Sequence, residues 1–231
     1  VEDRRVLVNN GLMAKRSTVL KVDKLTKRFG DHTIINSFSL KVAEGEAVAL
    51  TGRNGAGKST LLRCIVGADR PSEGTVEVLG TAVSESNPEV RRNVATVIDD
   101  LDFFPDLSVV EHLDLLARAH GLDDPDALVY EVLEEVQLVP KSGQLPGTLS
   151  SGQRRRLALA TALVRPRRLL VLDEREQRLD VEGLAWLGER LRVEKDNGLA
   201  ILMASHEPSL IEALQARIVR VGASGDPEAD A

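Results

Sequence analysis

The chain has 231 residues, enough to bury a sizeable core, and its 42% hydrophobic and 29% charged content is ordinary for a soluble globular protein. A formal net charge of −6 leaves no broad basic footprint and argues against a general affinity for nucleic acid. The single cysteine, Cys64, excludes an internal disulfide and fits a reducing compartment, and no run approaches the ~20 apolar residues of a membrane span.

Residues 1–17 read as a flexible N-terminal extension. The first dozen precede an internal Met13, lack the apolar stretch of a secretory signal, and are kept out of the fold argument. From Thr18 the alternation Val19-Leu20-Lys21-Val22 predicts a strand, and Ser37–Val42 a second. The short apolar run Ala47–Thr51 enters a glycine-rich loop, and Leu61, Leu62, Ile65 and Val66 then fall at helical spacing before Gly67. Thr75–Leu79 and Val94–Ile98 read as strands. Helical spacing returns at Leu113, Leu116, Ala117 and His120, and again at Leu128, Val132, Leu133 and Val136. This is a helical insertion of roughly 50 residues.

Beyond it the pattern predicts a helix at 151–165, a buried strand at 168–172, a helix at about 181–196, and strands at 199–204 and 217–221. Strands and helices that alternate in this way favour a mostly parallel α/β sheet. Residues 222–231 carry no apolar pattern and read as a disordered tail. With four Phe, one Trp and one Tyr, the core must rest on Leu, Val, Ile and Ala.

Residues 52–60 read Gly-Arg-Asn-Gly-Ala-Gly-Lys-Ser-Thr, a complete P-loop between an apolar strand and a helix. A triphosphate concentrates negative charge, and a loop that wraps it must bring backbone N–H groups close. Gly52, Gly55 and Gly57 allow that approach, with Asn54, Ala56 and Thr60 completing the loop. Lys58 supplies a cation to the outer phosphates, Ser59 a hydroxyl for Mg²⁺, and the helix behind them the positive end of its dipole. The reading is an ATP site. Cys64, inside the following helix among apolar residues, reads as a small buried hydrophobe.

A second site is expected downstream. Leu169–Leu172 is a buried strand that ends in Asp173 and Glu174. Beside a P-loop, Asp173 is assigned to Mg²⁺ and Glu174 to polarising the attacking water. His206 follows the apolar strand 200–205, at the carboxyl edge where α/β sites gather, and is assigned to the γ-phosphate.

Leu149-Ser150-Ser151-Gly152-Gln153 lies just before an arginine-rich helix and ahead of Asp173. Alone it could be a helix N-cap. After the P-loop and the helical insertion, and before the acidic strand and His206, it resembles the signature of ABC-type ATPases, which usually have glycine where this chain has Ser151. The resemblance spans residues 18–221. It implies an α/β fold: a P-loop NTPase core with a mostly parallel sheet, an N-terminal antiparallel β subdomain, and a helical subdomain at about 100–150. It also implies ATP hydrolysis with Mg²⁺. Two such domains would dock head to tail, with Ser150, Ser151, Gly152 and Gln153 of one facing the P-loop of the other.

The same resemblance assigns Phe29 to stacking on adenine, with core packing as the competing reading. It assigns Asp180, after Leu179, to the dimer interface. Two departures stand out. Asp99 or Asp100 occupies the place of the family's glutamine near Mg²⁺, and Arg175 replaces the usual proline after Glu174. Arg154–Arg156 read as a solvated helix face rather than a nucleic-acid patch.

The function implied is that of an ATP-hydrolysing subunit of an ABC transporter, of exporter type. Its partners would be a separate polytopic permease and a second ABC ATPase domain, as a homodimer or heterodimer. Its place would be peripheral, at the cytoplasmic face of the membrane, without direct nucleic-acid contact. The alternative is a soluble ABC-type ATPase of DNA repair or translation.

Overall fold

A long hairpin opens the fold: β1 (Thr18–Phe29) turns through Gly30 and Asp31 and returns as β2 (His32–Ala43). The structure is a computed structural model and describes residues 16–84, 86–98, 102–173, 179 and 181–222. The expectations for most of 1–17 and 222–231 therefore lie outside the described residues. Even the first part of β1 is irregular, since Val19 and Leu20 are both buried and the β1–β2 register shifts between Thr18 and Leu20. Lys24 and Ser37 have positive φ, and the β1–β2 register shifts between Val22 and Leu25 and again before Lys27. These bulges break the period-2 pattern and conceal the distal half of the hairpin from sequence reading.

The chain continues through β3 (Ala47–Thr51), α1 (Lys58–Val66), β4 (Glu73–Val78) and the short β5 (Thr81–Ala82). The antiparallel sheet has the order β2-β1-β4-β5. Next come α2 (Pro88–Asn93), β6 (Val94–Val97), α3 (Val109–Ala119) and α4 (Asp126–Glu135). After two 3₁₀ turns follow α5 (Ser151–Leu163), β7 (Leu169–Asp173), α6 (Val181–Asp196), β8 (Ala200–Ala204), α7 (Pro208–Ala213) and β9 (Arg217–Arg220). The parallel sheet has the order β6-β7-β8-β3-β9. Helices α2 and α7 have six residues each, too few for a helical period to show.

The parallel sheet separates two cores. Val48, Leu50, Leu169, Val171, Leu202 and Ala204 face α1 and the antiparallel sheet. Their neighbours in sequence, Ala47, Ala49, Leu170, Leu172, Ile201 and Met203, face α5, α6 and α7. Strands buried on both faces read as continuous apolar runs, which is why β3, β7 and β8 were legible. The helical insertion has its own core of α3 and α4 residues, and α5 joins it to the rest: Leu157, Ala160 and Leu163 face the insertion, Ala158, Leu159 and Ala162 the sheet. Motion of the insertion therefore bears directly on α5.

His112 of α3 is 4% exposed and lies between Phe103 and Phe104, ring centroids 5.3 and 5.4 Å away. Its Nδ1 has no hydrogen-bond partner, and burial lowers its pKa below the ordinary 6.5. The folded state thus favours the neutral ring, while the unfolded chain takes up the proton below that ordinary value. The associated stability is present above it and is lost as pH falls. We expect wild-type unfolding free energy, measured in urea, to drop between about pH 7 and about pH 5 by more than that of His112→Leu. Equal drops would mean that His112 is protonated equally in both states.

Candidate functional site

The carboxyl ends of the parallel strands form one edge, and the order β6-β7-β8-β3 places four loops beside one another there. Leu50 of β3 pairs in register with Ala204 of β8, and Ala204 with Asp173 of β7. Asp173 therefore stands level with the start of the P-loop, two strands and about 10 Å across the sheet. His206 is exposed on the loop that leaves β8 between them. The register brings to one edge residues more than a hundred positions apart.

The P-loop leaves β3 at Thr51 and enters α1 through Gly57, whose φ of 93° is left-handed. A side chain there would meet Ile34 and Ile35 of β2. Gly52 is held more tightly: an added Cβ would lie 2.4 Å from the carbonyl oxygen of Val221, next to the hydrogen bond from Val221 N–H to Thr51 O. The loop thus passes against the end of the β9 segment with no room for a methyl group.

Lys58 is 6% exposed, and its Nζ donates to the carbonyl of Gly52 at 2.9 Å, folding the ammonium back over its own loop. A buried ammonium is costly unless anions or carbonyls surround it, so the arrangement is tuned to anionic oxygen. Ser59, one residue on, is exposed. Cys64 packs in the core beneath, and burial raises its pKa, which keeps the thiol protonated.

Phe29, Ile34, Asn54, Gly55, Gly57, Lys58, Ser59 and Thr60 line a cleft of 430 Å³. Its walls come from both sheets, with the tip of the β1–β2 hairpin on one side and the P-loop on the other. Phe29 is 53% exposed, which removes the core-packing alternative for it. Sequence reading missed Ile34, because β2 was expected to begin only at Ser37.

The signature residues do not line this cleft. Ser150 is the N-cap of α5: Gln153 N–H donates to Ser150 Oγ at 3.3 Å, and Ser150 N–H donates to Gln153 Oε1 at 2.9 Å. Ser150 and Ser151 are exposed, so this helix N-terminus faces away from the core. Arg154 is exposed as expected, while Arg156 donates to Gln137 beyond α4. Asp99, Glu174 and Asp180 lie outside the described residues.

Mg²⁺ is usually held by one or two carboxylates together with substrate phosphates and water, rather than by a cage of protein ligands. A hydroxyl at Ser59 and a carboxylate at Asp173, both at this edge of the sheet, fit that donor set. Among the described residues no His, Cys, Asp and Glu side chains form a cluster of three for a metal.

A family model described as ABC transporter matches residues 35–176. The chain is 36% identical over 207 residues to the spermidine/putrescine import ATP-binding protein PotA of Pseudomonas aeruginosa (strain UCBPP-PA14). That match covers 87% of this chain and 56% of PotA, so the chain spans little more than half the length of that relative. It is 33% identical over 205 residues to the SkfA peptide export ATP-binding protein SkfE of Bacillus subtilis (strain 168), covering 88% of this chain and 85% of SkfE. Among solved structures, an ATP-binding subunit of an ABC transporter superposes with a TM-score of 0.81 at 28% identity, covering 89% of this chain and 86% of the other.

The close approach at Gly52 makes a direct prediction. Gly52→Ala must displace a backbone carbonyl and is expected to cost about 2 kcal/mol, or roughly 4–8 °C in melting temperature. Gly152→Ala, where an added Cβ meets nothing within 4 Å, serves as the neutral control. Equal melting of both variants and the wild type would show that the loop is not clamped.

Proposed function

The chain belongs to the ABC transporter family, and from that premise we propose that it binds and hydrolyses ATP to drive a substrate through a separate transmembrane subunit. The observation that carries this reading is the cleft itself, with a P-loop on one wall and the exposed ring of Phe29 on the other. Such a cleft suits a flat base joined to a chain of phosphates. The fold agrees: a parallel five-stranded core, an antiparallel sheet and a helical insertion.

In this reading adenine stacks on Phe29, and the backbone N–H groups from Asn54 to Thr60 surround the phosphates. Lys58 swings its ammonium from the Gly52 carbonyl to the outer phosphate oxygens. Ser59 and Asp173 would hold Mg²⁺, with Asp99 as a third candidate, and the ion would neutralise charge shared between the outer phosphates. Glu174, directly after Asp173, takes the proton of the attacking water as its oxygen bonds to the γ-phosphorus and the bond to the β-phosphate oxygen breaks. His206, on the neighbouring loop, donates to the γ-phosphate.

The site needs a second domain. Ser150–Gln153 do not reach the cleft of their own chain, yet they form an exposed helix N-terminus, which attracts anions. A second ABC ATPase domain, the same chain or a related one, would supply its signature to this P-loop, with Asp180 at the interface. The permease would engage the helical insertion, whose α3 and α4 pack on α5 and so on the signature. No helix among the described residues is long and apolar enough to cross a membrane. We place the chain at the cytoplasmic face of the membrane, held there by its permease. Export is the direction we favour, as the resemblance to exporter-type ATPases implies, and the relatives include both import and export ATP-binding proteins.

Glu174→Gln tests the chemical step. It should bind Mg-ATP as the wild type does and lose steady-state hydrolysis by at least about a hundredfold, the usual scale for a general base. Undiminished turnover would remove Glu174 from that role.

A further inference from the structure

Phe29 is an unusual platform. It closes β1 at the tip of a hairpin, pairs in register only with His32 across the turn, and is half exposed. A phenyl ring has no hydroxyl with which to anchor itself, so a ring at such a tip would sample several rotamers unless something held it. The structure shows what does. Lys27, two residues earlier and therefore on the same face of the strand, places its Nζ 4.9 Å from the centroid of the Phe29 ring.

The ammonium is itself fixed, since Lys27 Nζ donates to the carbonyl of Arg70 at 2.8 Å. Arg70 belongs to the segment between α1 and β4, and two further bonds fasten that segment to the same stretch of β1. Ser72 N–H donates to Thr26 O at 2.7 Å, and Arg28 N–H donates to Ser72 Oγ at 3.0 Å. The lysine therefore stands on a support tied to the helix that begins at the P-loop. Lys27 is not among the residues that line the cleft, whereas Phe29 is. The ammonium covers one face of a ring that lines the cleft, which leaves the other face for a ligand.

We infer that Lys27 is a positioning residue for the nucleotide base: its ammonium, held by the Arg70 carbonyl, locks the Phe29 ring in the orientation that accepts a stacked purine. The inference rests on the ATP reading of the cleft. Its physical content is preorganisation, because a ring already fixed loses less freedom when the base arrives. A cation behind the ring also draws π density away from the face that meets the base. It acts through the ring alone, so a ligand that has phosphates but no base should not sense it.

The test measures equilibrium affinity for Mg-ATP and for Mg-tripolyphosphate in the wild type, Lys27→Met, Lys27→Arg, Phe29→Ala and the Lys27→Met/Phe29→Ala double variant. Lys27→Met should weaken ATP binding by about two- to fivefold, the range of an exposed cation–π contact. It should leave tripolyphosphate affinity in place, and Lys27→Arg should restore ATP affinity. In the Phe29→Ala background the lysine substitution should have no further effect. Equal weakening of ATP and tripolyphosphate would instead make Lys27 a structural tie to the 67–72 segment and overturn the inference, as would a full effect without Phe29. If Phe29→Ala itself leaves ATP affinity intact, the base platform and the inference fall together, while the phosphate site still stands on the tripolyphosphate result.

Discussion

A lysine ammonium buried within the loop that carries it is the constraint around which this molecule is arranged. Lys58 is 6% exposed, and its Nζ donates to the carbonyl of Gly52. Holding it there requires a loop of unusual backbone geometry, clamped at Gly52 by the Val221 carbonyl and turned at Gly57 beneath Ile34 and Ile35. The loop in turn needs a rigid strand to leave and a helix to enter, and β3 and α1 are both buried in the larger core. Polyanionic oxygen forms stronger, charge-assisted hydrogen bonds to an ammonium than a neutral carbonyl does.

The sheet register extends that local device into a site. Because Leu50, Ala204 and Asp173 are level across three strands, the carboxylate and the loop bearing His206 arrive at the P-loop edge without any contribution from nearby sequence. The signature is built differently. It caps α5, a helix buried along most of its length between the sheet and the helical insertion, and presents its N-terminus outward. The P-loop cleft and this helix N-terminus thus lie apart within one chain. We propose that this separation makes ATP binding an event between two domains.

Much of this was legible in the sequence, for identifiable reasons. Strands buried on both faces are unbroken apolar runs, so β3, β7 and β8 announced themselves, and the P-loop string carries its own geometry. The side-by-side placement of Asp173 and His206 was inferred only through the expected parallel sheet. The distal hairpin was hidden because positive-φ residues at Lys24 and Ser37 interrupt alternation, and with it went Ile34 as a wall of the cleft. Nothing in the local sequence singles out Lys27. Its meaning depends on a carbonyl 43 positions away, which no local pattern can reveal.

The central claim is that the cleft between Phe29 and the P-loop is an ATP site organised by Lys58. Equilibrium titration of Mg-ATP into the wild type and Lys58→Ala tests it most directly. Saturable binding by the wild type, weakened at least about tenfold in the variant, is the predicted result, as loss of a charge-assisted contact requires. Equal affinity in the two proteins, or no saturable binding by the wild type, would contradict it.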